Sequence, residues 1–195
     1  MDIIERAKQI LISPKTEWPV IKTENDSHLK ILTSYLLWLA LIPAVAAFIG
    51  YGLIGYNIMG VHIHSAEFGL RQAVVSYIGI IGGCYITAAV ITLLAESFGA
   101  KKDFNRTFQL VAYAYTASCI GGIFNIYHSL TIIATLCGIY SLYLLYTGLE
   151  PMTEVTPEKK ASYFIVSMLC MIAVYFVIGL ILAAIFLPGY QGFAY

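Results

Sequence analysis

The first 28 residues mix apolar and charged positions at helical spacing. Ile3, Ile4, Ala7, Ile10 and Leu11 recur three and four apart, with Asp2, Glu5, Arg6, Lys8 and Gln9 on the other side. That pattern predicts a short amphipathic helix, lying either in the membrane surface or against the end of a helix bundle. Ser13-Pro14 offers a cap followed by a proline at a first helical position, and Trp18-Pro19 predicts a stop with the indole at headgroup depth. From residue 29 onward long uncharged apolar runs take over, each able to cross roughly 30 Å of hydrocarbon as a helix. They predict spans over 29–56, kinked at Pro43, and over 72–98, 107–124, 129–149 and 161–187, the last stopped by Pro188-Gly189. A glycine-rich stretch (Gly50, Gly52, Gly55, Gly60) leads into the polar loop VHIHSAEFGLR, and in EPMTEVTPEKK the Thr156-Pro157-Glu158 triplet reads as a helix start.

Composition narrows the class further. Hydrophobic residues make up 59% of the 195 and charged residues 11%, against about 25% charge in an ordinary soluble domain. Backbone groups in lipid must satisfy one another, which leaves helices or a closed barrel, and these runs are too long for barrel strands. The expected fold is therefore all-α: a polytopic membrane protein with five transmembrane helices (29–195) preceded by a cytoplasmic segment (1–28) carrying the amphipathic helix. The opening MDIIERAKQI has neither a basic head nor an unbroken apolar run, which argues against a signal peptide. Cys84, Cys119, Cys137 and Cys170 all fall in apolar runs and read as small hydrophobes. Counting Lys and Arg places Arg6, Lys8, Lys15, Lys22, Lys30, Lys101, Lys102, Arg106, Lys159 and Lys160 on one side and Arg71 alone on the other. The positive-inside rule then predicts a cytoplasmic N-terminus and, after five spans, an outer C-terminus.

Several residues could carry function. Glu96 ends the second span and either pairs with Lys101, Lys102 or Arg106 or lies on a transport path. Tyr113 and Tyr115 sit in the third span, where hydroxyls need partners. Asn125, Tyr127 and His128 form a polar turn that can cap two helix ends. His62, His64 and Glu67 fall within six residues of the outer loop, a spacing open to a divalent metal or simply to solvent. Small residues mark close helix packing or an oligomer seam: Gly79 and Gly83, then Ala114, Ser118 and Gly122, then Gly179 and Ala183. Motifs of hydrolases, metalloproteases and phosphate-binding loops do not occur, so no catalytic residues and no cofactor are expected. The basic residues are too few and scattered for nucleic acid.

Three segments carry a family resemblance: ILISPKTEWPVI (Ile10 to Ile21), FQLVAYAYTASCIGGI (Phe108 to Ile123) and YLLYTGLEPMTEVTPEKK (Tyr143 to Lys160). Together with five closely spaced spans they resemble the bacterial branch of the Yip-domain (Yip/Yif, Rab-interacting) integral membrane proteins. Many relatives have a proline after the A-Y-A segment, where this chain has Ala117, Ser118 and Cys119. The acidic D-L-Y-G-P-type arm associated with GTPase-linked trafficking is absent, so Rab binding does not carry over. The resemblance implies a five-helix module that organises lipids or partner proteins or transports a solute. The expected function is thus a non-enzymatic membrane module whose partners are lipids, other membrane proteins or further copies of itself. The alternative is a small transporter or channel, with Glu96 and the Tyr113/Tyr115 face along its path.

Overall fold

The computed structural model describes residues 3–58 and 61–186, with side chains described for 3–55, 64–127 and 129–177. In chain order the helices are α1 (Ile3–Ile12) and α2 (Pro14–Glu24), then α3 (His28–Ile54) and α4 (Ala66–Phe98). A broken segment follows, consisting of α5 (Phe104–Ala114) and α6 (Thr116–Gly121), and the chain continues in α7 (Thr131–Thr153) and α8 (Pro157–Phe186). Four of these runs, α3, α4, α7 and α8, are each long and apolar enough to cross a membrane. The protein is an all-α polytopic membrane bundle.

The third apolar segment sits at the centre. Every residue from Thr107 to Ala114 is buried, as expected for a helix with neighbours on all sides. It is not the continuous helix expected over 107–124, because it loosens at Tyr115. The Thr116 hydroxyl donates to the Tyr113 carbonyl (2.6 Å), and the Ser118 amide donates to Ser141 Oγ on α7 (2.9 Å). A neighbouring helix thereby takes a donor that would otherwise continue the ladder. The segment still links the two ends of the bundle. At one end Arg106 donates to the Lys22 carbonyl and to Asn25 Oδ1, and Asn105 bonds His28. At the other, Gly122 lies against Pro43, and the Asn125 and Ile126 carbonyls crowd Gly50.

Other boundaries differ from the sequence expectation for equally local reasons. The stretch read as a loop after α3 contains an antiparallel hairpin, β1 (Tyr56–Ile58) with β2 (Val61–Ile63). Helix α4 then starts at Ala66 rather than residue 72, because Ser65 caps it by accepting from the Phe68 amide. Its first turns can pack closely on α3, since a Cβ on Gly69 would lie 2.5 Å from the Gly52 Cα. Helix α7 runs through Pro151 to Thr153 and ends at Glu154 with φ 57°, and α8 starts at the expected Pro157. The Pro188-Gly189 stop lies outside the described residues.

The N-terminal arm contradicts one expectation. Pro19 does not end a helix but lies inside α2. Trp18 is 0% exposed: its ring rests on Gly148 of α7, and its indole N–H donates to Thr147 Oγ1 (3.2 Å). Only a residue without a side chain leaves room for that ring, since a Cβ at position 148 would meet it at 2.4 Å. Helix α1 follows the bundle-packing alternative: Ala7 and Ile10 are buried, while Ile4 and Ile12 face outward.

Candidate functional site

The arm is fastened by a buried charge. Arg6 on α1 is 3% exposed and donates to Glu17 and Glu24 on α2, one guanidinium nitrogen to each carboxylate. Its cation lies 5.6 Å from the centre of the Tyr113 ring. A buried guanidinium survives only when its donors are matched, and two carboxylates with an aromatic face supply that match. Tyr113 packs edge-on against Tyr35 (4.7 Å between ring centres), whose hydroxyl bonds Thr116 Oγ1 at 2.7 Å. Helix α1 is also held at its far end, where the Tyr140 hydroxyl donates to the Leu11 carbonyl (2.7 Å).

These contacts frame a polar cavity of about 360 Å³ between the arm and the start of α3, lined by Arg6, Glu24, Asp26, Lys30, Ser34, Tyr35, Tyr113 and Ile3. Asp26 and Lys30 pair across one side of it at 2.7 Å. Next to it lies an almost wholly apolar groove of about 490 Å³ between α1 and α3, walled by Ala7, Leu11, Trp38, Leu39 and Ile42, and Ile3 lines both spaces. A charged chamber thus adjoins an apolar slot on the outer surface of the bundle.

The residues singled out from sequence are spread over the molecule. Glu96, 69% exposed at the end of α4, pairs with Lys102 (3.3 Å). Tyr113 enters the arm cavity, whereas Tyr115 points to α4 and bonds Thr87 (3.1 Å), because two steps along a helix turn a side chain to the opposite side. Asn125 lines a different cavity, at the far end beside Tyr51, Gln72 and Thr131. His128 begins a short 3-10 turn, and its side chain lies outside the description. Of the loop residues, Glu67 pairs with Arg71 (3.1 Å), His64 is exposed, and the His62 side chain falls outside the description. No group of three metal-ligating side chains comes together among the described residues.

The small residues divide by neighbour. Gly83 lies against the Tyr175 hydroxyl, while Gly79 meets nothing within 4 Å. Ala114 is buried, Ser118 bonds Ser141 on α7, and Gly122 takes Pro43. Gly179 and Ala183 lie in α8, beyond the residues whose surroundings are described. The Arg6 cluster went unread in the sequence, although Glu17 and Glu24, seven apart, fall on one face of α2 and could have signalled a buried cation.

A surface ion pair closes the same end of the molecule. Lys22 Nζ bonds Glu154 at 2.9 Å, and this hydrogen bond, helped by the ammonium charge, holds the Glu154 carboxyl below its ordinary value of 4.5. A lowered carboxyl adds stability that is present above its ordinary pKa and is lost as pH falls through the folded value. Acidification below about pH 4.5 is expected to loosen the α2–α7 junction, read as faster amide exchange near Glu154. Lys22→Met should remove that component of the pH dependence.

Comparison with known proteins agrees with the fold. The Yip1 domain profile matches residues 8–190. The inner membrane protein YohC of Escherichia coli strain K12 is 27% identical over 155 residues, covering 77% of this chain and 80% of the relative. Its counterpart in Escherichia coli O6:H1 strain CFT073 matches to the same extent. No solved structure matches the chain. A profile match over nearly the whole length, on a bundle of apolar helices, makes this chain a member of the Yip1-domain family of integral membrane proteins.

Proposed function

We propose that this protein is an inner-membrane module that works through contacts with lipids, and through them with neighbouring membrane proteins or further copies of itself. The observation that carries this reading is the polar cavity beneath the arm, adjoining an apolar groove on the bundle surface. Charged walls next to a lipid-facing slot suit an amphiphile. The relatives' inner-membrane name supports the location. Five crossings are supported by the central segment, whose helical and 3-10 turns join the two ends of the bundle. With Lys22, Lys102, Arg106 and Lys160 near one end, the positive-inside rule puts that end and the N-terminus in the cytoplasm, and the C-terminus outside.

The transport alternative receives less support, since Glu96 is exposed and paired, and Tyr113 and Tyr115 face different neighbours. Native mass spectrometry of the full chain, released from gently cross-linked membranes, tests the reading. Retained phospholipid, with or without a partner or a second copy, is the expected result. A lipid-free protein that passes ions in liposomes, with flux lowered by Glu96→Gln, would overturn it.

A further inference from the structure

The cavity and groove are specific enough in charge and length to name a lipid chemistry. We infer that the site takes a phospholipid with a primary-ammonium headgroup, its amine in the polar cavity and one acyl chain along the groove. This inference rests on the lipid-contact reading above and deepens it.

Charge is the first argument. Around the cavity two cations, Arg6 and Lys30, stand against three carboxylates, Glu17, Glu24 and Asp26. Arg6 is shared between Glu17 and Glu24, and Lys30 is spent on Asp26, so the carboxylates that line the cavity keep acceptor capacity that favours a cationic guest. Glu24 and Asp26 each give one oxygen to a cation of the chain and line the cavity, which leaves the other to accept from a guest. A primary ammonium brings three N–H donors to such oxygens, while a quaternary ammonium brings none. Tyr113 lines the same space, with the Arg6 cation over its ring. Lys30 Nζ, with an exposed side chain at the rim, is placed for the phosphate that follows the amine in such a headgroup. A headgroup carrying only negative charge would bring no cation to the free oxygens of Glu24 and Asp26.

Length is the second argument. From Lys30 at the cavity to Ile42 at the far wall of the groove, α3 rises about 18 Å, close to the half-thickness of about 15 Å of a hydrocarbon core. The cavity of about 360 Å³ lies at the low end of small-molecule pockets. It has room for a headgroup, and the neighbouring groove has room for one acyl chain. That groove is bounded by Ala7 and Leu11 on one side and Trp38, Leu39 and Ile42 on the other, with scarcely any polar surface.

The test uses the full-length protein in nanodiscs of equal parts phosphatidylethanolamine, phosphatidylcholine and phosphatidylglycerol, ejected into a mass spectrometer. Phosphatidylethanolamine is expected to be retained about fivefold over each of the others. Asp26→Asn, which alters one partner of an exposed pair, should cut that preference without loosening the fold. Glu24→Gln, which keeps an oxygen facing Arg6, should do the same. Retention of all three lipids alike, or a preference untouched by both variants, would overturn the headgroup assignment and leave the broader lipid reading standing. No retained lipid of any kind would remove both.

Discussion

Replacing Arg6 by alanine is expected to release the N-terminal arm from the bundle while leaving the spanning helices folded. The substitution removes the one cation between Glu17, itself buried, and Glu24. Stranding a buried carboxylate costs about 3 kcal/mol, much of what an arm of two short helices can recover from its remaining contacts. Hydrogen exchange should show it directly, with α1 and α2 losing protection and α4 and α7 keeping theirs. Arg6→Lys should fall between, since an ammonium cannot serve two carboxylates in the planar fork that a guanidinium offers. If α1 keeps wild-type protection in Arg6→Ala, the buried cation is not what fastens the arm.

Gly148→Val is the second large effect, and it strikes the same arm from the opposite side. A Cβ there would stand 2.4 Å from the Trp18 ring and 2.6 Å from Leu110 Cδ1, and neither neighbour has room to retreat because both are fully buried. Overpacking of this kind costs about 1–3 kcal/mol, and expulsion of the ring exposes a large apolar surface besides. The protein has two tryptophans, Trp18 and Trp38, and Trp38 is 60% exposed. In a Trp38→Phe background the emission of Trp18 therefore reports its seat alone. A red shift in Gly148→Val with unchanged helix content is expected; an unshifted spectrum would mean that the ring finds another buried seat.

What could be read from the sequence was whatever depends on a local run. The apolar stretches that became α3, α4, α7 and α8 announce themselves because lipid demands length and lack of charge from each helix separately. Pro157 at the start of α8 and the pairing of Glu96 with a nearby lysine are local in the same sense. The break at Tyr115 was not legible, since it depends on Ser141 reaching across to the Ser118 amide. Nor was the burial of Trp18, which needs a glycine far along the chain. Arg6 looked like part of the polar side of a surface helix, and only the fold of α1 back on α2 turns that charge inward. The small-residue pattern located close packing without saying with what: Gly83 found a neighbour while Gly79 did not, and the tightest backbone approach, Gly52 on Gly69, followed no four-residue spacing.

The seat of Trp18 also sets an order of events during synthesis. The indole is bonded to Thr147, 129 residues further along the chain, so the arm has nowhere to dock until the helix bearing Gly148 has been made and inserted. At roughly 5–20 residues per second, the arm waits about 6–26 s with Ile10, Trp18 and Ile21 uncovered. During that interval an amphipathic segment at the ribosome's exit has the bilayer surface as its nearest apolar refuge. Adsorption of the nascent arm to the bilayer before docking is therefore the expected order, and a chain truncated before Thr147 should show it as membrane binding of residues 3–24 without burial of Trp18.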